Sequence, residues 1–302
     1  MIDLQVLVTG AGGLVGSHAV RVLHENRYLV VALYRKLDER SARPPWGTVR
    51  GDLLDNSFIR TLGRVEFDIV VHCAAVLPDQ FHGIHAEQAA QANLLIDERI
   101  TSLCLEKGSR LVYLSGTSVY GMGSSSPLTE DADLSPIGPY VQAKVLSERR
   151  ILDALAGAST VLRVSSPYGP GQRARTVLRL FIERSFADLD LLYHGSGKRE
   201  QDFIAAYDLA KAILCSVSSA KGDGVFNIAG GHPISMQDLA ELVVRTVPGT
   251  KSKALPSGQP DPQEGYRARF DTGKACRILG WRPTISLQEG ILEWAEHLRG
   301  RR

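Results

Sequence analysis

Leu4-Gln5-Val6-Leu7-Val8-Thr9-Gly10-Ala11-Gly12-Gly13-Leu14-Val15-Gly16 is an apolar strand that runs into a glycine-rich turn and then into a helical pattern. Glycines at 10, 13 and 16 permit a tight strand-to-helix turn, let backbone N–H groups approach a ligand, and let the helix pack close on the strand. The helix beginning near Leu14 presents its positive N-terminus at that turn. The segment therefore reads as a landing place for the pyrophosphate of a dinucleotide, with Gly10, Gly13, Leu14, Val15 and Gly16 as its cofactor-binding residues. The spacing is GxxGxxG after Thr9, since GxGxxG would need glycine where Val15 stands.

Working outward, strand-like runs alternate with helical patterns up to about Pro167: Leu4–Val8, Leu29–Tyr34, Asp68–Val71, Arg110–Leu114 and Thr160–Val164. Such alternation demands parallel strands joined by helical crossovers, in a doubly wound sheet covered on both faces. From Gly169 the pattern is less regular. Helices are expected around Thr176–Ala187, from Asp208, after Ser235 and after Ser286, with a strand at Val225–Ile228 and turns at Gly195-Ser196-Gly197. Pro256-Ser257-Gly258-Gln259-Pro260-Asp261-Pro262 reads as a flexible loop on the substrate side.

At 302 residues and 44% hydrophobic, the chain can bury the core of one large or two small domains. A net charge of +2 gives no electrostatic case for nucleic acid, and the basic end Arg299-Gly300-Arg301-Arg302 reads as a solvated tail. No apolar run reaches membrane-spanning length, and the first strand starts too early for a secretory leader, so a cytoplasmic protein without a membrane partner is expected. Cys73, Cys104, Cys215 and Cys276 are scattered singly, as buried hydrophobes or free thiols. His82 and His85 lack further ligands at metal-site spacing, so no metal is expected.

Tyr140 and Lys144 lie four apart on a predicted helix, one turn from each other on one face. A phenol titrates near about 10 and needs a neighbouring cation to exchange protons near neutrality; Lys144 supplies that charge. The second strand ends Tyr34-Arg35-Lys36, where an NAD enzyme of this fold commonly has an acid for the ribose hydroxyls. Arg35 offers a planar fork to a 2′-phosphate, which favours NADP(H). NAD(H) stays open, through Asp38 or Glu39 reaching back.

These features occur together with Gly51-Asp52-Leu53, His72-Cys73-Ala74-Ala75, Val119-Tyr120-Gly121, Tyr168-Gly169-Pro170-Gly171, Asp202-Phe203-Ile204 through Asp208, and Leu279-Gly280-Trp281-Arg282-Pro283. In this order they resemble, nearly end to end, the extended short-chain dehydrogenase/reductase family, which contains the NAD-dependent epimerases and dehydratases of nucleotide sugars. The resemblance implies an α/β fold: a Rossmann-type doubly wound parallel sheet over residues 1–167 and a smaller C-terminal α/β substrate lobe over 168–302, with segments returning to the main sheet. It gives Asp52 the adenine edge, with Leu53 beside it, and makes Ala74 and Ala75 the passage beside the cofactor ribose; Asn93 joins the cofactor set. Lys144 would bind the nicotinamide ribose, and Tyr140 would exchange a proton with the substrate. A homodimer built on the two long helices flanking the central strands is also implied.

The third catalytic position of the family, a Ser or Thr three residues before the Val of Val119-Tyr120-Gly121, is Gly116. Thr117 and Ser115 flank it as alternatives, with Thr117 favoured. The family's 4,6-dehydratases carry Asp-Glu directly after the triad Thr, where this chain has Thr117-Ser118, and the Cys of the 3,5-epimerase/reductases is missing too. Ser166 stands where epimerases often have Asn, and Gln201 replaces a basic residue usually facing the sugar diphosphate. Arg199, Arg267 and Arg269 remain as candidate substrate-binding cations. The expected activity is hydride transfer at one carbinol of a nucleotide-linked sugar, as a 4-ketosugar reductase. The alternatives are a 4-epimerase that retains NAD and a catalytically idle dinucleotide-binding regulator.

Overall fold

The structure is a computed structural model that describes residues 2–36, 44–78 and 84–300. Asp38, Glu39 and His82 lie outside the described residues. The N-terminal part alternates β1 (Ile2–Thr9), α1 (Leu14–Glu25), β2 (Tyr28–Tyr34), β3 (Gly47–Arg50), α2 (Asn56–Leu62), β4 (Ile69–His72), α3 (Ala86–Lys107), β5 (Arg110–Gly116), α4 (Pro139–Ala154) and β6 (Ser159–Val164). After a short β7 (Ser166–Tyr168) come α5 (Val177–Ser185), β8 (Leu191–Tyr193), β9 (Glu200–Gln201), β10 (Phe203–Ala205), α6 (Ala206–Ser218) and β11 (Gly224–Ile228). The chain finishes with β12 (Ile234–Ser235), α7 (Met236–Thr246), β13 (Ala254–Pro256) and α8 (Leu287–Arg299).

Seven strands form one parallel sheet in the order β11-β6-β5-β4-β1-β2-β3. The period-2 alternation of each strand divides its side chains between two cores. Val6, Val8, Ile69 and Val112 pack with Leu23 of α1 and Ile213 of α6 on one face. Leu7, Val70 and Leu111 pack with Ile96 and Ile100 of α3 and with Ile151 of α4 on the other. The sheet is thus doubly wound. Only β3 escaped the sequence pattern: it is four residues long, mostly exposed, and held by pairing with β2 rather than by an apolar face.

β11 returns to the main sheet beside β6, and α6 covers it. A third core joins α5, α7 and α8 through Leu178, Phe181, Leu239, Val243, Ile291 and Trp294. Ser235 caps α7, and Ser286 caps α8 with a reciprocal Glu289 capping box, which explains why both helix starts were readable. The 256–262 loop is fastened rather than free. Its Ser257 N–H donates to Tyr193 O and its Gln259 carbonyl accepts from Gly195 N–H, both at 2.8 Å.

Buried polar groups join the two parts. Arg163 of β6 forms an ion pair with Glu148 of α4 at 2.8 Å and donates to the Tyr120 hydroxyl at 2.9 Å, and that hydroxyl donates to Asn227 of β11 at 2.7 Å. Asp208 accepts from the Thr284 and Ile285 backbone amides, each at 2.7 Å. Removing one partner of a buried ion pair leaves the other charge desolvated and unpaired. Arg163→Met is therefore expected to cost about 3–5 kcal/mol of folding free energy, read as a lower denaturant midpoint.

Candidate active site

The glycine turn is fixed by lack of room. Gly10 has a φ of +64°, and a Cβ there would stand 2.7 Å from the Ala74 backbone nitrogen. A Cβ on Gly16 would stand 2.2 Å from the Gly10 carbonyl oxygen. Gly13 closes the turn by donating to that oxygen at 2.9 Å and serves as the N-cap of α1. Leu14 and Val15 occupy the first turn of α1, where backbone amides have no intrahelical partner. Their N–H groups and the helix N-terminus favour an anion.

Above the turn lies a groove of about 360 Å³. Arg35 and Lys36 line it from the end of β2, Asp52 and Leu53 from the turn after β3, and Ala74 and Ala75 from the turn after β4. Free amides, close glycines, two cations at the β2 end and a small-residue passage fit a dinucleotide. Asn93 has a different place. Its amide accepts from Val76 N–H and donates to Val76 O, each at 2.8 Å, and so braces the groove wall. Arg173, carried on the segment after β7, also lines the groove. Sequence reasoning missed it because nothing local in Gly171-Gln172-Arg173 shows that the chain folds back over the glycine turn.

Tyr140 and Lys144 sit in the first two turns of α4. Burial and the Asp97 charge push the Tyr140 phenol up to about 12. Lys144 is buried, and its ammonium donates to the Tyr113 hydroxyl at 2.9 Å and to the Leu114 carbonyl at 3.4 Å. Behind it runs a buried polar row. Tyr113 donates to Asp97 of α3 at 2.7 Å, His72 meets the other Asp97 oxygen at 3.0 Å, and His72 meets Thr9 at 2.7 Å. Asp97 lies four residues after Asn93, on the same face of α3, which is its one trace at the level of sequence spacing.

Gly116 ends β5. Thr117 opens the following 3-10 turn, buried beside the Tyr266 hydroxyl. Ser115 is buried with no hydrogen-bond partner for its hydroxyl among the described residues. Of the substrate candidates, Ser166 accepts from the Gln201 amide, which joins β7 to β9. Arg199 lines a second-lobe cavity of about 510 Å³ and pairs with Asp261 at 2.7 Å. Arg269 pairs with Glu200 at 2.9 Å, while Arg267 donates to the Lys198 and Tyr266 carbonyls. All four cysteines are free, and no His, Cys, Asp and Glu cluster among the described residues could hold a metal. Among those residues no helix is long and apolar enough to cross a membrane.

Fold and groove together define a Rossmann-type α/β protein built to hold a dinucleotide. Residues 6–229 match the NAD dependent epimerase/dehydratase family, and the chain belongs to that family. It is thus an enzyme of the NAD(P)-dependent oxidoreductase and epimerase type. It is 26% identical to a dTDP-D-glucose 4,6-dehydratase of Mus musculus over 98% of this chain and 88% of that one. It is 27% identical to a dTDP-4-dehydro-6-deoxyglucose reductase of Escherichia coli over 97% of both. The UDP-glucose 4-epimerase of Thermotoga maritima, solved with UDP-glucose, superposes with a TM-score of 0.88 at 25% identity, covering 99% of each chain. Gly16→Ala should keep the circular dichroism of the fold yet weaken NADH and NADPH binding by about tenfold or more, because its methyl displaces the Gly10 carbonyl; calorimetric titration reads this.

Proposed function

We propose that this protein is an NADP(H)-preferring oxidoreductase that interconverts a hydroxyl and a keto group on a nucleotide-linked sugar, with a 4-ketosugar as the substrate reduced. One observation carries the reading: Tyr140 and the buried Lys144, one turn apart on α4, beside the carboxyl end of β5. A dinucleotide held in the groove would supply the hydride for the carbonyl carbon, or take it up in the reverse direction. Tyr140 gives its phenolic proton to the carbonyl oxygen, or takes the hydroxyl proton in reverse. A phenol held near about 12 by burial and by Asp97 is a weak proton source, and the Lys144 cation offsets this by stabilising the phenolate. Thr117 donates a hydrogen bond to the same substrate oxygen in place of the hydroxyl missing at Gly116.

Arg35 and Lys36 support the NADP(H) preference, because they line the groove where a 2′-phosphate needs cationic partners. Arg199, Arg267, Arg269, Ser166 and Gln201 are proposed to face the sugar diphosphate. Thr117-Ser118 in place of the acid pair argues against dehydration, even though the mouse relative is named a dehydratase. The second reading is a 4-epimerase that retains NAD and returns the hydride to the opposite face, favoured by the likeness to the Thermotoga structure. A homodimer through α3 and α4 belongs to the proposal, supported by the exposed Leu95, Leu105 and Leu146 on those helices.

Three measurements test this. NADPH should bind more tightly than NADH, and Arg35→Ala should lose most of the difference; equal affinities, or a preference for NADH, would move the assignment to the epimerase. Tyr140→Phe should abolish turnover with cofactor affinity nearly unchanged, whereas residual activity within a few-fold of wild type would remove the acid–base role. Thr117→Val should slow turnover by at least about tenfold, since a hydrogen bond to developing oxygen charge contributes about 2.7–4 kcal/mol at strong sites. Ser115→Ala should be mild, and the reverse ranking would transfer the role to Ser115.

A further inference from the structure

Thr9, His72 and Tyr113 are register neighbours across three adjacent strands, Thr9 opposite His72 and His72 opposite Tyr113. All three side chains point to the face covered by α3 and α4, as the alternation of Leu7, Val70 and Leu111 into that core requires. Asp97 of α3 reaches down onto this row and bridges its two rings, His72 and Tyr113, and Lys144 of α4 closes it on Tyr113. Thr9, His72, Asp97, Tyr113 and Lys144 are all buried.

The direction of the two bonds to Asp97 follows from its charge. Burial works to raise the Asp97 carboxyl, but the Lys144 cation and His72 outweigh it and hold the group down at about 2, so Asp97 is a carboxylate and only accepts. His72 Nε2–H and Tyr113 O–H therefore donate to it. On its other side His72 Nδ1 meets the Thr9 hydroxyl, and that hydroxyl accepts from Ala74 N–H at 3.1 Å. Tyr113, its proton committed to Asp97, is left to accept from Lys144. Stability does not account for such a row, because well-packed apolar side chains in place of buried charges are often neutral or better.

We propose that Asp97 is a positioning residue: through Tyr113 it fixes the place of the Lys144 ammonium, and through His72 and Thr9 it ties that place to the Ala74 wall of the dinucleotide groove. The inference rests on the role given above to Tyr140 and Lys144. Asp97 faces Tyr140 and Lys144 from α4, Tyr113 from β5 and His72 from β4. Glu148, one turn beyond Lys144, is taken up by Arg163. The Asp97 carboxylate thus disfavours the Tyr140 phenolate, and the Lys144 cation that it places is the charge proposed above to favour it.

The test uses the whole chain with NADH and NADPH as probes. Asp97→Asn and Tyr113→Phe are each expected to weaken both dinucleotides by about tenfold, and the double variant to be no weaker than either single one, because one chain of bonds is cut twice. In Asp97→Asn the tyrosinate absorbance step that Tyr140→Phe removes should move to lower pH, since the opposing carboxylate charge is gone; a merely structural role would not move it. Unchanged affinity in Asp97→Asn, additive losses in the double variant, or an unmoved Tyr140 step overturns the proposal. If Asp97→Asn does not fold, Thr9→Val carries the test: weaker binding of both dinucleotides supports the tie to the groove, and wild-type affinity overturns it. A wild type that binds neither dinucleotide fails the functional reading as well, whereas wild-type binding left intact by Asp97→Asn fails this inference alone.

Discussion

The distance between Gly10 and the Ala74 backbone governs the site. β1 and β4 are neighbours in the sheet, yet the chain leaves β1 toward β2 and β3 and leaves β4 toward β5 and β6. Their carboxyl ends therefore diverge into loops on opposite sides, and a crevice opens between them where a ligand can sit. At its floor the two backbones approach so closely that even a methyl group on Gly10 would collide with Ala74. The sharp turn, the start of α1 at Leu14 and the groove walls all follow from that approach. The polar row starts at the same point, because Thr9, the residue before Gly10, holds Ala74 in place by accepting its N–H.

Most of the sheet was legible because parallel strands buried on both faces are continuous apolar runs, as Val6 to Val8 and Ile69 to Val71 are. The glycine turn and the Tyr140–Lys144 spacing were legible because both depend on short stretches of chain. What escaped depends on pairing across distance. β3 exists only through β2, Arg173 reaches the groove only because the second part folds back, and Asn93 is tied to the groove wall through Val76. Asp97 reads as an ordinary helix acid until His72 and Tyr113 are seen lying in register beneath it.

Charge is distributed unevenly between the two sides of the cleft. Arg35, Lys36 and Arg173 all line the cofactor groove, and no described carboxylate forms an ion pair with them. On the substrate side, Arg199 is held by Asp261 and Arg269 by Glu200. A carboxylate partner orients a guanidinium but cancels much of its long-range attraction. The cofactor side is thus equipped to draw a highly charged dinucleotide from solution. The candidate substrate cations Arg199 and Arg269 are oriented by carboxylates, whereas Arg267 donates to backbone carbonyls.

Gly116 is the clearest departure from the family pattern, and the fold does not require it. Its backbone is extended, with φ −139° and ψ 151°, a conformation open to any residue. A Cβ there would meet the Ser118 hydroxyl at 3.4 Å and the Val164 carbonyl at 3.8 Å, both ordinary contacts. A side chain at 116 is thus forbidden neither by strain nor by packing, in contrast to Gly10 and Gly16 on the cofactor side. Nothing in the backbone or packing around position 116 selects glycine. A bare backbone at that point leaves room for a bulkier or differently oriented substrate group beside Tyr140, while the neighbouring Thr117, buried on the turn that follows, retains a hydroxyl within the same short stretch. The glycines of this chain therefore divide by cause: those of the first turn are set by the protein's own backbone, and Gly116 is not.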